Sequence, residues 1–138
     1  MTGVAAVLTT CIMMAAQTYN LPPAVLMGIM KVEGGKPGQA VGPNKNGTYD
    51  LGPMQVNTLW VSDLARHWNV SHSTAYRMVK DDPCVNVNVA GWILRQRLNE
   101  TGNLTLAIAH YHSRTPKFGY VYARKVIGAM RRMDLIQE

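Results

Sequence analysis

Residues 34–56 form a long stretch rich in glycine, proline and asparagine between two apolar parts of the chain. It includes Asn44-Lys45-Asn46-Gly47, and an Asn-Gly pair is typical of a tight turn between two strands. A loop of this length is uncommon in a small domain and usually carries function where it occurs. We therefore expect an irregular loop with a small hairpin around Gly47-Thr48-Tyr49, lying at a functional surface.

The remainder of the chain shows the apolar spacing and the capping signals of successive helices. Helices are predicted over roughly 3–19, from Asn20-Leu21-Pro22-Pro23 to Glu33, from about Asn57, over 73–79, from Asp82 to about Leu98, from Asn103 to about 113, and over 118–132. Internal repeats, low-complexity tracts and linkers are absent from the sequence. We therefore expect one all-α domain over residues 1–138, α+β at most through the small hairpin.

The chain carries a formal charge of +6, which favours an anionic partner such as nucleic acid, an acidic membrane surface or the bacterial wall. Its basic residues are scattered, with close pairs at Arg95 and Arg97 and at Arg131-Arg132, so a nucleic-acid-binding stripe is not predicted. The apolar segment Met1–Leu8 lacks a basic start and is too short to span a membrane. We interpret it as part of the first helix, which leaves the chain as given without an export signal or a membrane span.

Two cysteines, Cys11 and Cys84, lie far apart in helical runs, without a Cys-x-x-Cys pair or a His/Cys cluster at metal-ligand spacing. We therefore predict neither a metal nor a cofactor. Two states of the cysteines remain open from the residues alone: buried free thiols, or a disulfide formed in an oxidising compartment.

Glu33 is predicted to end the second helix on the same face as the apolar Leu26, Ile29 and Met30. A carboxyl group among apolar side chains near a helix C-terminus has a raised pKa, because burial and the helix dipole both disfavour its charged form. Such a group can protonate a leaving group near neutral pH, which is the chemistry needed to break a glycosidic bond. Two interpretations remain: a catalytic acid, or a helix-terminal glutamate that reaches water or a loop amide.

Three polar residues at the end of the loop are further candidates. Gln55 either faces a groove and binds sugar hydroxyls or hydrogen-bonds the loop backbone. Asp50 is either the second carboxylate of a two-acid glycosidase or, as its place before Leu51-Gly52 favours, a turn residue. Asn57 is predicted to cap the helix that follows it.

Tyr111 is predicted to lie on the inward face of its helix, where its hydroxyl needs a hydrogen-bond partner, and Glu33 is a candidate for that partner. The flanking His110 and His112 have no third ligand at metal spacing and are expected at the rim of the site. Three other tyrosines either line a sugar-binding groove or pack in the core: Tyr49, Tyr120 and Tyr122.

Three segments, in their order along the chain, resemble the signatures of the soluble lytic transglycosylase family. Within that family, they resemble more particularly the small members associated with type IV secretion, conjugation and pilus systems. The resemblance runs from about Cys11 to Tyr122. The segments are Glu33-Gly34-Gly35, Asn44 to Asn57 with Gly52-Pro53-Met54-Gln55, and Ala109-His110-Tyr111-His112-Ser113. Gly34 stands where the family has a serine, and His112-Ser113-Arg114 follows Tyr111 in place of the family's Asn-Ala-Gly.

The resemblance implies a lysozyme-like helical fold and cleavage of the β-1,4 bond between N-acetylmuramic acid and N-acetylglucosamine in peptidoglycan. It implies one catalytic acid, Glu33, which protonates the leaving oxygen. As a base, Glu33 then takes the proton of the muramoyl C6 hydroxyl, which attacks C1 and leaves a 1,6-anhydro end. Tyr111 is expected to orient Glu33. Substrate contacts are expected from Gln55, Tyr111, His112, Tyr49 and Asn57.

Paired cysteines in small members of the family imply a disulfide between Cys11 and Cys84, and with it a periplasmic location. The expected partners are peptidoglycan glycan strands and the proteins of a secretion or pilus apparatus, and we expect a monomer that binds no nucleic acid. The alternatives are a lysozyme-type peptidoglycan hydrolase, a non-enzymatic wall-binding component of a secretion machine and, on charge alone, a basic nucleic-acid-binding domain.

Overall fold

The structure, a computed structural model, describes residues 3–136. Predictions for Met1 and Thr2, and the outer ends of the predicted domain 1–138, lie outside the described residues. Within them the chain forms seven α-helices and one three-stranded sheet. The predicted fold class, a helical lysozyme-like domain with a small β element, is confirmed.

The elements follow in chain order, with the sheet between the second and third helices. The helices are α1 (Gly3–Tyr19), α2 (Pro23–Glu33), α3 (Val61–Trp68), α4 (His72–Asp81), α5 (Pro83–Thr101), α6 (Leu104–His112) and α7 (Pro116–Arg132). The strands are β1 (Ala40–Val41), β2 (Asp50–Leu51) and β3 (Val56–Asn57), and a 3₁₀ turn at Thr58–Trp60 leads into α3. No helix within residues 3–136 combines the length and the apolarity that crossing a membrane requires.

Side-chain caps explain where two of the helices begin. Asp82 accepts hydrogen bonds from two backbone N–H groups in the first turn of α5, at 3.0 and 3.1 Å. Asn103 accepts one at 3.0 Å at the start of α6, as predicted. Asn20, by contrast, does not cap α2: it has a left-handed φ of 52°, and Pro22 occupies the N-cap position.

Two glycines explain where α2 and α5 end. Gly34 and Gly102 follow these helices in the left-handed conformation, with φ of 65° and 64°, which a residue without a Cβ adopts at little cost. The N–H of Gly34 closes the last turn of α2 by donating to the carbonyl of Met30 at 2.9 Å. Helix α2 ends at Glu33 as predicted, and α5 continues beyond the predicted end near Leu98 to Thr101.

The sheet is antiparallel, in the order β1-β2-β3. Leu51 of β2 pairs with Ala40 on one side and with Val56 on the other. The β1–β2 connection contains a turn closed by the N–H of Gly47 and the carbonyl of Asn44 at 2.9 Å, which confirms the predicted hairpin. The third strand was not predicted, because two residues are too few to show an alternating pattern.

Helix α5 lies at the centre of the domain, where it packs against α1, α4 and α6. Helix α7 packs against α2 and α6. Leu26 and Ile29 of α2 are fully buried, which confirms the apolar face predicted for that helix. This packing directs the end of α2, and with it Glu33, toward the interior of the domain.

A disulfide joins Cys11 of α1 to Cys84 in the first turn of α5, with Cα atoms 4.8 Å apart. The bond resolves the two states that the residues alone leave open. It connects positions 73 residues apart and fastens the first helix to the central one.

Asn86 is a fully buried polar residue of α5 for which the sequence carries no clear signal. Its Oδ1 accepts a hydrogen bond from the N–H of Met54 at 2.8 Å, and its Nδ2 donates to the carbonyls of Leu51 at 2.8 Å and Val79 at 2.9 Å. A Cβ on Gly52, whose φ is 66°, would lie 2.5 Å from that Nδ2. A single amide therefore ties the end of the loop and the end of α4 to the central helix.

Candidate active site

A cleft of about 670 Å³ is lined by the end of α2, the β1–β2 connection, the sheet, α5 and the end of α6. It contains the predicted acid Glu33 and four of the predicted substrate contacts, namely Gln55, Asn57, Tyr111 and His112. Tyr49 is exposed on the loop and is not among the cleft-lining residues, so its contact with substrate stays a prediction. The structure thus brings together residues from three distant parts of the chain.

Glu33 is the last residue of α2 and is largely buried in the cleft. Burial raises the pKa of Glu33 to about 7, with a hydrogen bond from Tyr122 acting against it and the negative charge of Asp50 acting in the same direction as burial. A carboxyl group with this pKa is close to half protonated at neutral pH and can both give and take a proton there.

The hydroxyl that orients Glu33 belongs to Tyr122, not to the predicted Tyr111. Tyr122 lies on the buried face of α7 and donates to Oε2 of Glu33 at 2.8 Å. Tyr111 donates instead to the backbone carbonyl of Met54 at 2.9 Å, and its ring stacks against that of Tyr122 with centroids 6.4 Å apart. Burial raises the pKa of both tyrosines above the usual value, so both hydroxyls stay protonated and act as donors.

His112 packs against Tyr122 at the edge of the cleft. Its ring stacks on that of Tyr122 with centroids 4.7 Å apart and planes 7° from parallel, while its exposed edge lines the cleft. Burial and the positive charge of Lys125 lower the pKa of His112, against an opposite effect of Asp50. A neutral imidazole at the rim can offer substrate one donor and one acceptor. The rim position predicted for His112 is what the structure shows.

Gln55 hydrogen-bonds the loop backbone, which is one of the two roles left open by its sequence context, and its contact with sugar hydroxyls stays a prediction. Its Nε2 donates to the carbonyl of Gly52 at 2.9 Å, and the residue also lines the cleft. Its backbone has a left-handed φ of 51°, which is uncommon for a residue with a side chain. A Cβ on Gly35 would collide with the carbonyl oxygen of Gly52 and lie 2.5 Å from Nε2 of Gln55. The second glycine after Glu33 is therefore needed for the chain to cross this loop.

Asp50 is a strand residue of β2 rather than the predicted turn residue, and both of its carboxylate oxygens accept hydrogen bonds. The Nδ2 of Asn57 donates to Oδ1 at 3.1 Å and the Nδ2 of Asn44 donates to Oδ2 at 3.1 Å. The Oδ1 of Asn57 accepts the N–H of Leu59 at 2.9 Å, which confirms Asn57 as a cap. These hydrogen bonds link the β1–β2 connection, β2 and β3 beside the cleft and occupy both carboxylate oxygens of Asp50.

A cationic side of the cleft was not predicted from the sequence. The guanidinium of Arg97 lies over the ring of Trp60, 5.3 Å from its centroid, and also bonds Glu100 at 3.0 Å. Arg114 bonds the same carboxylate at 3.1 Å. Since Arg97, Arg114 and Trp60 line the cleft, they can receive an anionic part of a bound molecule. The spacing of Arg97 and Glu100 is the only local signal for this arrangement.

Residues 3–136 contain no group of three or more His, Cys, Asp or Glu side chains placed to hold a metal ion.

Fold and site together define a helical domain whose cleft holds a largely buried carboxyl group with a raised pKa, that of Glu33. Residues 10–118 match the model of the Transglycosylase SLT domain family, so the chain belongs to that family. The family predicted from the three sequence segments is thereby confirmed.

Two curated proteins illustrate the likeness. The chain is similar to the invasion protein IagB of Salmonella typhimurium, with 29% identity over 128 residues that cover 89% of this chain and 76% of IagB. It is also similar to protein IpgF of Shigella flexneri, with 31% identity over 101 residues that cover 73% of this chain and 63% of IpgF. Both alignments span most of this chain.

Proposed function

We propose that this protein is a peptidoglycan lytic transglycosylase that cleaves the β-1,4 bond between N-acetylmuramic acid and N-acetylglucosamine and leaves 1,6-anhydro ends. Membership of the Transglycosylase SLT domain family supports the substrate class. The observation that carries the proposal is Glu33, a largely buried carboxyl group in the cleft with a pKa of about 7 and a hydrogen-bond donor, Tyr122, at 2.8 Å.

The reaction uses Glu33 twice. Protonated Glu33 gives its proton to the glycosidic oxygen as the bond from that oxygen to C1 of the muramoyl sugar breaks. The resulting carboxylate, stabilised by the hydroxyl of Tyr122, then takes the proton of the C6 hydroxyl while that oxygen bonds to C1. Glu33 ends protonated, as it began, and water is not consumed.

The hydrogen bonds of Asp50 argue against a role as the second acid of a hydrolase. Among the described residues that line the cleft, only Glu33 and Asp50 carry carboxyl groups. Both oxygens of Asp50 already accept amide hydrogen bonds from Asn44 and Asn57, which gives this carboxylate a structural role. This supports a mechanism with one carboxyl group.

Substrate contacts are proposed for the polar side chains that face the cleft. Gln55 and Asn57 offer amide groups, and His112 offers an imidazole beside Tyr122. Tyr111 is proposed to act through packing at the base of the cleft, because its hydroxyl is already bonded to the loop. A chain with a formal charge of +6 suits a polymer that bears carboxylates.

The disulfide supports an oxidising location, for which we propose the periplasm. The resemblance to small transglycosylases of secretion, conjugation and pilus systems supports local opening of the wall for such an apparatus. The similarity to a protein named for invasion is consistent with this role.

The product of digestion tests the proposal. Purified peptidoglycan is incubated with the protein, and the released muropeptides are analysed by mass spectrometry. We expect 1,6-anhydro ends, which weigh one water less than reducing ends. Glu33→Gln should abolish release, while Asp50→Asn should retain anhydro products, with circular dichroism as the control for folding of both variants.

Two outcomes would replace the proposal. Reducing ends that disappear in Asp50→Asn would identify a lysozyme-type hydrolase with two carboxyl groups. Co-sedimentation with peptidoglycan without release of muropeptides would identify a wall-binding component. This second alternative is motivated by two departures from the family's pattern, at Gly34 and at His112.

A further inference from the structure

Helix α7 presents two sharply different faces. Its buried face is apolar apart from the hydroxyl of Tyr122 and packs on α2 and α6. The remaining surface of the helix is exposed, and at 100° per residue its charged and large apolar side chains fall within an arc of about 160°. The members of this exposed face are Lys117, Phe118, Tyr120, Val121, Arg124, Lys125, Arg131 and Arg132.

The exposed face of α7 carries a large share of the charge of the protein. The helix contains five basic residues and no acidic residue, whereas the formal charge of the whole chain is +6. By the same count, no other helix within residues 3–136 exceeds +1. Five of the fourteen lysine and arginine residues of the chain therefore lie on this one helix.

Within residues 3–136, none of these five cations takes part in an ion pair. Each of the ion pairs formed among residues 3–136 uses a basic residue from another part of the chain. The cleft-lining residues of the described chain also include none from α7. Apart from the effect of Lys125 on the pKa of His112, this positive surface therefore has no assigned role in the cleft.

Large apolar side chains lie among the cations at the N-terminal end of the helix. Phe118, the only phenylalanine of the chain, is 54% exposed, Tyr120 is 54% exposed and Val121 is 42% exposed. The ammonium of Lys117 lies 5.6 Å from the ring centre of Phe118. Exposed aromatic groups beside unpaired cations are the pattern of a helix that lies in the plane of a membrane interface.

We infer that the exposed face of α7 binds the surface of a bilayer that contains anionic phospholipids. Its cations pair with headgroup phosphates, and Phe118, Tyr120 and Val121 enter the headgroup region. A purely anionic polymer would use the charges but would leave these apolar groups in water. The inference goes beyond the proposed function, and the test below does not depend on peptidoglycan cleavage.

Co-sedimentation with vesicles tests this inference. The full chain is mixed with vesicles of phosphatidylcholine containing phosphatidylglycerol, and with vesicles of phosphatidylcholine alone. We expect binding to the anionic vesicles that weakens with salt. The double variant Arg124→Gln with Arg131→Gln should bind about fivefold more weakly for each cation removed.

A matched control separates this surface from net charge. Arg66→Gln with Arg77→Gln removes the same charge from exposed positions on α3 and α4 and should bind like the unchanged protein. Equal loss in both double variants would overturn the inference, since net charge alone would then explain binding. Failure to bind anionic vesicles would also overturn it.

Phe118→Ser distinguishes a bilayer from a polyanion. The bilayer predicts weaker binding to anionic vesicles in this variant and little competition from soluble polyglutamate. Unchanged vesicle binding together with full competition by polyglutamate would show a general polyanion surface and would overturn the inference. Far-ultraviolet circular dichroism confirms that each variant is folded before binding is compared.

Discussion

Glu33→Gln should stabilise the folded protein at neutral and higher pH. The pKa of Glu33 rises from its ordinary value of 4.5, which applies to the unfolded chain, to about 7 in the fold. Between these two values the folded state holds a proton that the unfolded state has lost. Stability contributed by this proton is present below pH 4.5 and is lost as the pH rises through about 7.

The size of the effect follows from the two pKa values. One pH unit corresponds to about 1.4 kcal/mol, so the interval from 4.5 to about 7 amounts to about 3 kcal/mol of unfolding free energy. Glutamine cannot ionise and still accepts a hydrogen bond from Tyr122, so the variant avoids this cost. The unfolding free energy of Glu33→Gln should equal that of the unchanged protein below pH 4.5. The difference in favour of the variant should grow between pH 4.5 and about 7 and stay constant at higher pH.

Urea unfolding of both proteins across this pH range measures the difference. Glu100→Gln is the matched control, because a hydrogen bond from Arg114 lowers the pKa of this exposed residue. Ionised Glu100 stabilises the fold above its unfolded pKa, so its removal should have the opposite sign at neutral pH. A difference between Glu33→Gln and the unchanged protein that does not vary with pH would refute the reasoning.

Three further changes test other parts of the structure. Tyr122→Phe removes a hydrogen bond that lowers the pKa of Glu33 and should move the alkaline limb of the pH–activity profile upward by about one unit; a limb that stays in place contradicts this role. Asn86→Leu leaves three buried backbone groups unpaired and should lower the unfolding free energy by about 3–5 kcal/mol. A urea unfolding curve identical to that of the unchanged protein would show that these hydrogen bonds do not stabilise the fold. Replacing Cys11 and Cys84 by serine should lower the unfolding free energy by about 4 kcal/mol on the chain-entropy model. If reductant does not change the unfolding curve of the unchanged protein, the disulfide is contradicted.

The features that the sequence predicts correctly are those that depend on local chemistry. Asn103 caps α6 and Gly34 ends α2 because each acts within one helical turn. The place of Glu33 follows from helical periodicity and the buried Leu26 and Ile29. Burial of one helix face is enough to raise the pKa of an acid at its end.

The features that the sequence does not predict depend on how distant elements approach one another. Tyr111 and Tyr122 both lie on inward faces, and the packing of α7 against α2 decides which reaches Glu33. That approach is close at Gly28, where a Cβ would lie 2.7 Å from a side-chain carbon of Met130. A glycine inside a helix is the signal that could have indicated this contact.

The buried amide of Asn86 has a consequence for the motion of the cleft. Its hydrogen bonds join the loop end at Leu51 and Met54 to α5, so this part of the loop cannot separate without exposing the core. The amide proton of Met54 should therefore exchange with solvent as slowly as those of the central helix, in the same cooperative unit. Although irregular in backbone conformation, this segment should act as a rigid wall of the cleft and not as a lid that closes over it.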